Sequence, residues 1–257
     1  MKISHKNILI TGVSSDLGRN LFNHIRNNKA YNILTTSRST TEIEKCKGAN
    51  RIHLSGIDLT CEKDLKTLSH SVKNFFNDYF SIVHFAGDFW RHKPLINTSF
   101  DEIKQMINSH YLSMCGVAHT LTPIMIQKGG GRIVAFSCNS VGYNYPDLSP
   151  FTSAKAAIES FLKCYSNEYS PYNISSTILA LPTIKTNKVL IEKTEGDIEN
   201  YIEPDELSEI VLNEILPQNR FVTGNIIRII KHSNSFYNNG YFERNRRSDE
   251  SLKILPK

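Results

Sequence analysis

The sequence predicts a doubly wound α/β fold: a parallel sheet with helices on both faces. Three observations predict it. Short β-type apolar runs alternate with segments of helical periodicity along the 257-residue chain, the pattern of successive β–α–β units. The first apolar run ends in a glycine-containing turn that opens a helix. The composition, 40% hydrophobic and 21% charged with 13 Gly and 9 Pro, suits one large core and excludes disorder, collagen and coiled coil.

Taken in order, the first strand is Asn7–Thr11 (NILIT), and Leu17, Leu21, Phe22 and Ile25 then share one helix face. Asn32–Ser37 and Arg51–Leu54 read as the second and third strands. Leu65, Leu68, Val72, Phe75 and Phe76 make a second amphipathic helix, followed by the strand Ser81–Phe85. A long helix is expected from Phe100 to Gln127, broken near Pro123. Arg132–Ser137 is the fifth strand, Thr152–Tyr169 a helix and Ser175–Leu181 the sixth strand. A helix over Pro204–Leu216 and a strand over Asn225–Ile230 complete the series. The expected architecture is a seven-stranded parallel Rossmann-type sheet in one domain, residues 1–235, with a polar C-terminal extension over 236–257.

The formal charge is +5 and the basic residues are dispersed, so no nucleic-acid partner is expected. The one cluster, Arg244, Arg246 and Arg247, falls in the polar tail and reads as solvated surface. Five cysteines without a C-x-x-C pair predict reduced thiols and no metal site. No apolar run reaches the ~18 residues of a membrane span, and no signal peptide is visible. A cytoplasmic protein is therefore expected.

The first strand, turn and helix read Thr11-Gly12-Val13-Ser14-Ser15-Asp16-Leu17-Gly18. Such a turn brings backbone N–H groups and a helix N-terminus onto a pyrophosphate. It resembles the TGxxxGxG loop of the short-chain dehydrogenase/reductase family, in its compact single-domain branch. The resemblance continues in register over roughly residues 5–230. Asp58-Leu59-Thr60 matches the segment that receives the adenine. His84-Phe85-Ala86-Gly87 matches NNAG, Pro182-Thr183-Ile184-Lys185-Thr186 matches PGxxxT, and Val222-Thr223-Gly224-Asn225 matches the C-terminal TG.

The resemblance implies a nicotinamide dinucleotide held by Gly12, Ser14, Ser15, Leu17, Gly18, Asp58, Leu59, Ala86, Gly87, Lys155, Pro182, Ile184 and Thr186. Arg38, with Ser37, Ser39 and Thr40 beside it, suits a 2′-phosphate, so NADP(H) is the expected cofactor. Three departures bear on this. Asp16 replaces the middle glycine, where its carboxylate either repels a phosphate or caps the helix and points away. His84 replaces an orienting Asn. Thr183 replaces a Gly.

The family's reaction centre is a Tyr-x-x-x-Lys, a Ser thirteen residues before the Tyr, and an Asn on the preceding long helix. Lysine at i+4 lowers the phenol pKa, the phenol donates a proton as hydride arrives, and the Ser steadies the carbonyl oxygen. Lys155 is present, but Phe151 stands at the Tyr position, Cys138 at the Ser position and His110 at the Asn position. Phe151 has no proton to give. Cys138 offers a weak S–H donor, and His110 can exchange a proton near neutrality. Tyr143 and Tyr145, in the loop after Cys138, are candidate replacement donors, and Trp90 is a candidate pocket wall.

Three readings stay open. One is an atypical NADP(H)-dependent oxidoreductase acting on a small-molecule carbonyl or imine. Another is a non-redox isomerase, dehydratase or cyclase using the same cleft. The last is a non-catalytic subunit paired with an active relative. The resemblance implies a homo-dimer or tetramer through the long helix and the Lys155 helix. On those helices Met106, Tyr111, Met114, Phe161, Leu162 and Tyr165 are expected to exceed what one sheet face needs.

Overall fold

The computed structural model describes residues 6–39, 48–192, 198–217 and 221–231. Thr40, Cys46 and the segment 236–257 with its three arginines lie outside the described residues.

Seven parallel strands form one sheet in the order β3-β2-β1-β4-β5-β6-β7. They are β1 (Lys6–Thr11), β2 (Tyr31–Thr36), β3 (Arg51–Leu54), β4 (Phe80–His84), β5 (Gly131–Cys138), β6 (Ile174–Leu181) and β7 (Asn225–Arg228). Successive side chains of a strand point to opposite faces, and each face has its own core. Leu9, Ile82, Ile133 and Ile178 pack under α2 (Glu62–Phe75), α4 (Ser113–Gln127) and α6 (Ser149–Tyr169). Ile8, Ile10, Val83, Val134 and Leu179 pack under α1 (Asp16–Ile25) and α8 (Pro204–Glu209). The doubly wound expectation is met, and every strand boundary falls within two residues of its expected place.

The long helix differs from its expectation. It begins as α3 (Phe100–Met106), capped by Ser99 and Glu102 in a reciprocal capping box. It continues as a π-helical stretch, Ile107–Leu112, and then as α4, which runs straight through Pro123. Pro123 removes one backbone donor, but Leu121, Thr122, Ile124 and Met125 around it are buried and hold the helix together. The irregularity falls instead on the turn that carries His110. Two short helices, α5 (Ser140–Tyr143) and α7 (Asn187–Glu192), lie on the loops that follow β5 and β6.

The expected apolar surplus on the long helix and α6 is largely internal. Met106, Met114, Leu162 and Tyr165 are buried in this chain's own core. Tyr111 and Phe161, partly exposed, meet edge-to-face. Leu112 and Tyr172 are exposed at 44% and 50%.

Candidate functional site

The sheet order reverses between β1 and β4, and a crevice opens at the carboxyl ends of these strands. A cavity of about 490 Å³ occupies it, lined from the turn after β1, the loops after β4 and β5, α6 and the loop after β6.

Local chemistry builds the nucleotide half. Gly12 sits at φ 70°, and a Cβ there would lie 2.6 Å from the Ala86 nitrogen. Only glycine lets the turn press against the chain leaving β4. Ser15 caps α1, accepting from the Gly18 nitrogen at 3.1 Å and donating to the Gly12 carbonyl at 2.7 Å. A Cβ on Gly18 would meet that same carbonyl at 2.6 Å. The helix N-terminus thus faces the cleft, where its free N–H groups and dipole favour an anion.

Ser14, Ser15, Leu17, Ala86, Gly87, Pro182, Ile184 and Thr186 all line the cleft with Lys155. Asp16 does not cap the helix; Ser15 does, and Asp16 lies along the cleft in the first turn. Thr183 also lines the wall.

The adenosine end is more open. Asp58 is exposed and accepts from the Thr60 backbone and hydroxyl at 2.9 and 2.7 Å, while Leu59 is buried in the core. Arg38 is two-thirds exposed and donates to Asp88 at 2.7 Å. The carbonyl of Ser39 accepts from the Ser37 hydroxyl at 2.6 Å.

His84 supplies orientation in its own way where an Asn was expected to be missed. Its Nδ1 lies 2.8 Å from Thr11 Oγ1 and its Nε2 3.2 Å from Ser113 Oγ. The Ser113 hydroxyl donates to the Ser109 carbonyl at 2.6 Å. It therefore accepts from Nε2–H, and Nδ1 accepts from Thr11. Burial, with the charge of Lys155, pulls the His84 pKa down to about 3, so the ring is neutral. It ties the end of β1 to the end of β4 and to α4.

The chemical half centres on Lys155. Its ammonium donates to the Phe136 carbonyl at 2.8 Å and sits 5.6 Å from the centroid of Phe151. Burial lowers its pKa to about 8, against the opposing influence of Cys138. Phe151 packs toward a small cluster of Trp90, Met106, Leu148 and Ala154. The Cys138 thiol contacts Ser140 Oγ, which is 3.0 Å from Thr152 Oγ1.

His110 donates Nε2–H to the Asp88 carbonyl at 2.9 Å, and its buried Nδ1 has no hydrogen-bond partner. Burial, then the charge of Lys155, holds the ring well below the usual imidazole range despite that bond. His110 is thus a neutral donor committed to backbone.

Lys155, His110, Cys138 and Phe151 come together on one cleft wall. Tyr143 does not join them: its hydroxyl accepts from Arg228 at 2.7 Å and its ring stacks on Tyr145. Tyr145 is the tyrosine of that loop that lines the cleft. Trp90 is a wall as expected, anchored by its indole N–H on the Asp147 carbonyl at 3.0 Å.

Sequence reasoning missed Asp88, Asn139, Lys188 and Tyr201, which also line the cleft. Asp88 had a signal, an acid directly after the Ala86-Gly87 turn. Asn139 and Lys188 lie one residue after Cys138 and two after Thr186, and Tyr201 is distant in sequence from the other lining residues. Among the described residues no cluster of metal-ligating side chains occurs, and no helix is long and apolar enough to cross a membrane.

Fold and site define a Rossmann-type α/β protein with a cleft at the switch point. The family description "short chain dehydrogenase" matches residues 6–195, and the chain belongs to that family. It is similar to a fatty acyl-CoA reductase of Acinetobacter baylyi, 23% identical over 235 residues covering 88% of this chain and 78% of that one. A tropinone reductase homolog of Arabidopsis thaliana is 24% identical, covering 88% and 91%. Among solved structures, ElxO with NADP bound superposes with a TM-score of 0.78 at 21% identity, over 93% of this chain and 99% of that one. A Brucella melitensis 3-ketoacyl-(acyl-carrier-protein) reductase complexed with NADH gives 0.77 at 18%, over 89% and 98%.

Proposed function

We propose that this short-chain dehydrogenase binds NADP(H) and uses it to reduce a small-molecule C=O or C=N group without the Tyr and Ser donors usual in the family. One observation carries the reading. The capped N-terminus of α1 and the Lys155 ammonium open onto the same cleft, so a dinucleotide laid along it has its phosphates at one and its nicotinamide end near the other. Gly12, Ser14, Ser15 and Gly18 would hold the pyrophosphate, Arg38 the 2′-phosphate and Lys155 the nicotinamide ribose. The bound nucleotide would supply a hydride.

The residues themselves fit a proton-poor reaction. Phe151 cannot donate, His110 spends its one N–H on Asp88, and Ser140 lies in a chain with Cys138 and Thr152. Of Phe151, His110, Ser140 and Lys155, only Lys155 keeps N–H groups beyond the bond it makes, to the Phe136 carbonyl. An iminium carbon needs hydride and no proton, so a C=N substrate tolerates this centre better than a ketone. The relatives support the cofactor half: a Tyr-to-Phe variant of ElxO is described with NADPH bound, with a TM-score of 0.77 to this chain.

A second reading has its own observation. Phe151 is packed toward Trp90, Met106 and Leu148, as in a centre given over to structure, which suits a non-catalytic subunit paired with an active relative. A titration of NADPH fluorescence, then NADPH consumption on a panel of ketones and cyclic iminium ions, separates the two. Enhancement with turnover of an iminium supports the reductase. Enhancement without turnover of any substrate favours the subunit, and no enhancement rejects NADP(H) binding.

A further inference from the structure

We infer that Arg38 and Asp88 form a latch across the nucleotide groove, which an entering dinucleotide must open and a 2′-phosphate opens most easily. The inference rests on the nucleotide reading above.

The topology puts the pair there. Arg38 follows β2, Asp88 follows β4, and β1 lies between those two strands in the sheet. A bond from Arg38 to Asp88 therefore passes over the carboxyl end of β1 and the Gly12 turn, the region where the phosphates and adenosine would lie. The ion pair is close, 2.7 Å.

The two ends of the latch are built differently. Asp88 is fixed. Its second carboxylate oxygen accepts from Gln105 at 3.0 Å, its nitrogen donates to Ser109 Oγ at 3.3 Å, and its carbonyl accepts from His110 at 2.9 Å. Its side chain is only 17% exposed, and that of Arg38 is 67% exposed. Burial works against the Asp88 charge, but the bonds from Gln105 and Arg38 outweigh it and hold the carboxyl below its usual range. Arg38 is thus a movable arm held down on an anchored anion.

A 2′-phosphate offers the arm a bidentate, more highly charged partner, and can draw it off Asp88. NADH brings no such partner and meets the latch closed. Asp88 then acts as a positioning residue: through Arg38 it lowers affinity for every dinucleotide and lowers it most for NADH. The same movement frees one tether of the loop that carries Phe89 and Trp90, the wall beside the chemical half of the cleft.

Calorimetry with NADPH and NADH on wild type, Asp88→Asn and Arg38→Ala tests this. An exposed ion pair is worth up to ~1 kcal/mol, or about three- to fivefold in affinity. Both variants should bind NADH about three- to fivefold more tightly than wild type. NADPH should tighten in Asp88→Asn and weaken in Arg38→Ala, which has lost the phosphate partner. A merely structural role for Asp88 would weaken both nucleotides in Asp88→Asn and leave NADH unimproved in Arg38→Ala. Any pattern of NADH affinities other than tightening in both variants overturns the latch, while binding by wild type keeps the nucleotide reading. Failure of all three proteins to bind either nucleotide overturns that reading and the latch with it.

Discussion

The His110 ring stands edge-on to Phe151, with centroids 5.4 Å apart and planes at 78°. The resemblance in sequence leads one to expect these two residues at the positions where the family carries an amide and a phenol. Here they form an aromatic contact, a geometry that stabilises by ~0.5–1.5 kcal/mol beyond the area it buries. On that reading two chemical groups give way to one packing interaction, and the predictions below follow from it.

Restoring the phenol alone should achieve little. Phe151→Tyr places a hydroxyl one helical turn from Lys155, but Cys138 and His110 still fail to hold a carbonyl oxygen or lead a proton to it. The expected gain in NADPH consumption on ketones is below tenfold. The triple change Phe151→Tyr, Cys138→Ser, His110→Asn should gain roughly 10²–10⁴-fold, the range of a positioned general acid. A gain of that size from the single change would show that the pocket already holds a ketone.

Acid should destabilise the fold early. His84 is neutral in the folded chain, with its pKa near 3, against ~6.5 unfolded. The unfolded state therefore binds the extra proton between those values. The stability His84 contributes is complete above pH ~6.5 and falls as the pH drops toward 3, by about 1.4 kcal/mol per pH unit. His110 is shifted in the same direction and steepens the fall. Urea midpoints at pH 7, 6 and 5 read this directly. His84→Asn should flatten the decline by about one histidine's share, and an unchanged slope would remove His84 as its cause.

Gly12→Ala should cost more than backbone strain. Gly12 and Gly56 sit at nearly the same angle, φ 70° and 72°, but a Cβ on Gly56 meets nothing within 4 Å. Gly56→Ala should then cost only the strain, ~1 kcal/mol or somewhat more. Gly12→Ala adds the clash with Ala86 and should also abolish NADPH fluorescence enhancement. Equal losses of stability in the two variants would show that the close approach does not matter.

Assembly is the remaining expectation. With Met106, Met114, Leu162 and Tyr165 buried inside the chain, a self-interface here is left with side chains such as Tyr111, Leu112, Phe161 and Tyr169 on these helices and Tyr172 just beyond them. Light scattering at micromolar concentration should return at least twice the 29.2 kDa chain mass, and Leu112→Asp should lower it. A monomer mass for the unaltered chain refutes the proposal.

The strands and helices were legible because each is a local pattern. Leu9 and its neighbours Ile8 and Ile10 are all apolar because both sheet faces are covered. Leu21, Phe22 and Ile25 recur at helical spacing because α1 buries one stripe. The Gly12 turn was legible for a steric reason that a single residue type reveals. The π-helical stretch was not: proline is the visible breaker and points to Pro123, whereas the widened turn at Ile107–Leu112 carries neither Pro nor Gly. Tyr143 and Tyr145 were equivalent in the sequence, and a partner 85 residues away, Arg228, drew one of them out of the cleft.

By itself, then, the sequence determined the order of strands and helices, the glycine turn, and the identity of the side chains from which a reactive centre could be read. The tertiary structure decided what those side chains do. It made His84 a neutral bridge between Thr11 and Ser113, turned Phe151 toward Trp90 and Met106, and set Asp88 opposite Arg38. The physical reason is range. Periodicity and turn chemistry act over a few residues, but Thr11 meets His84 across 73 residues and Arg38 meets Asp88 across 50. Those meetings exist only because β2, β1 and β4 lie side by side in the sheet.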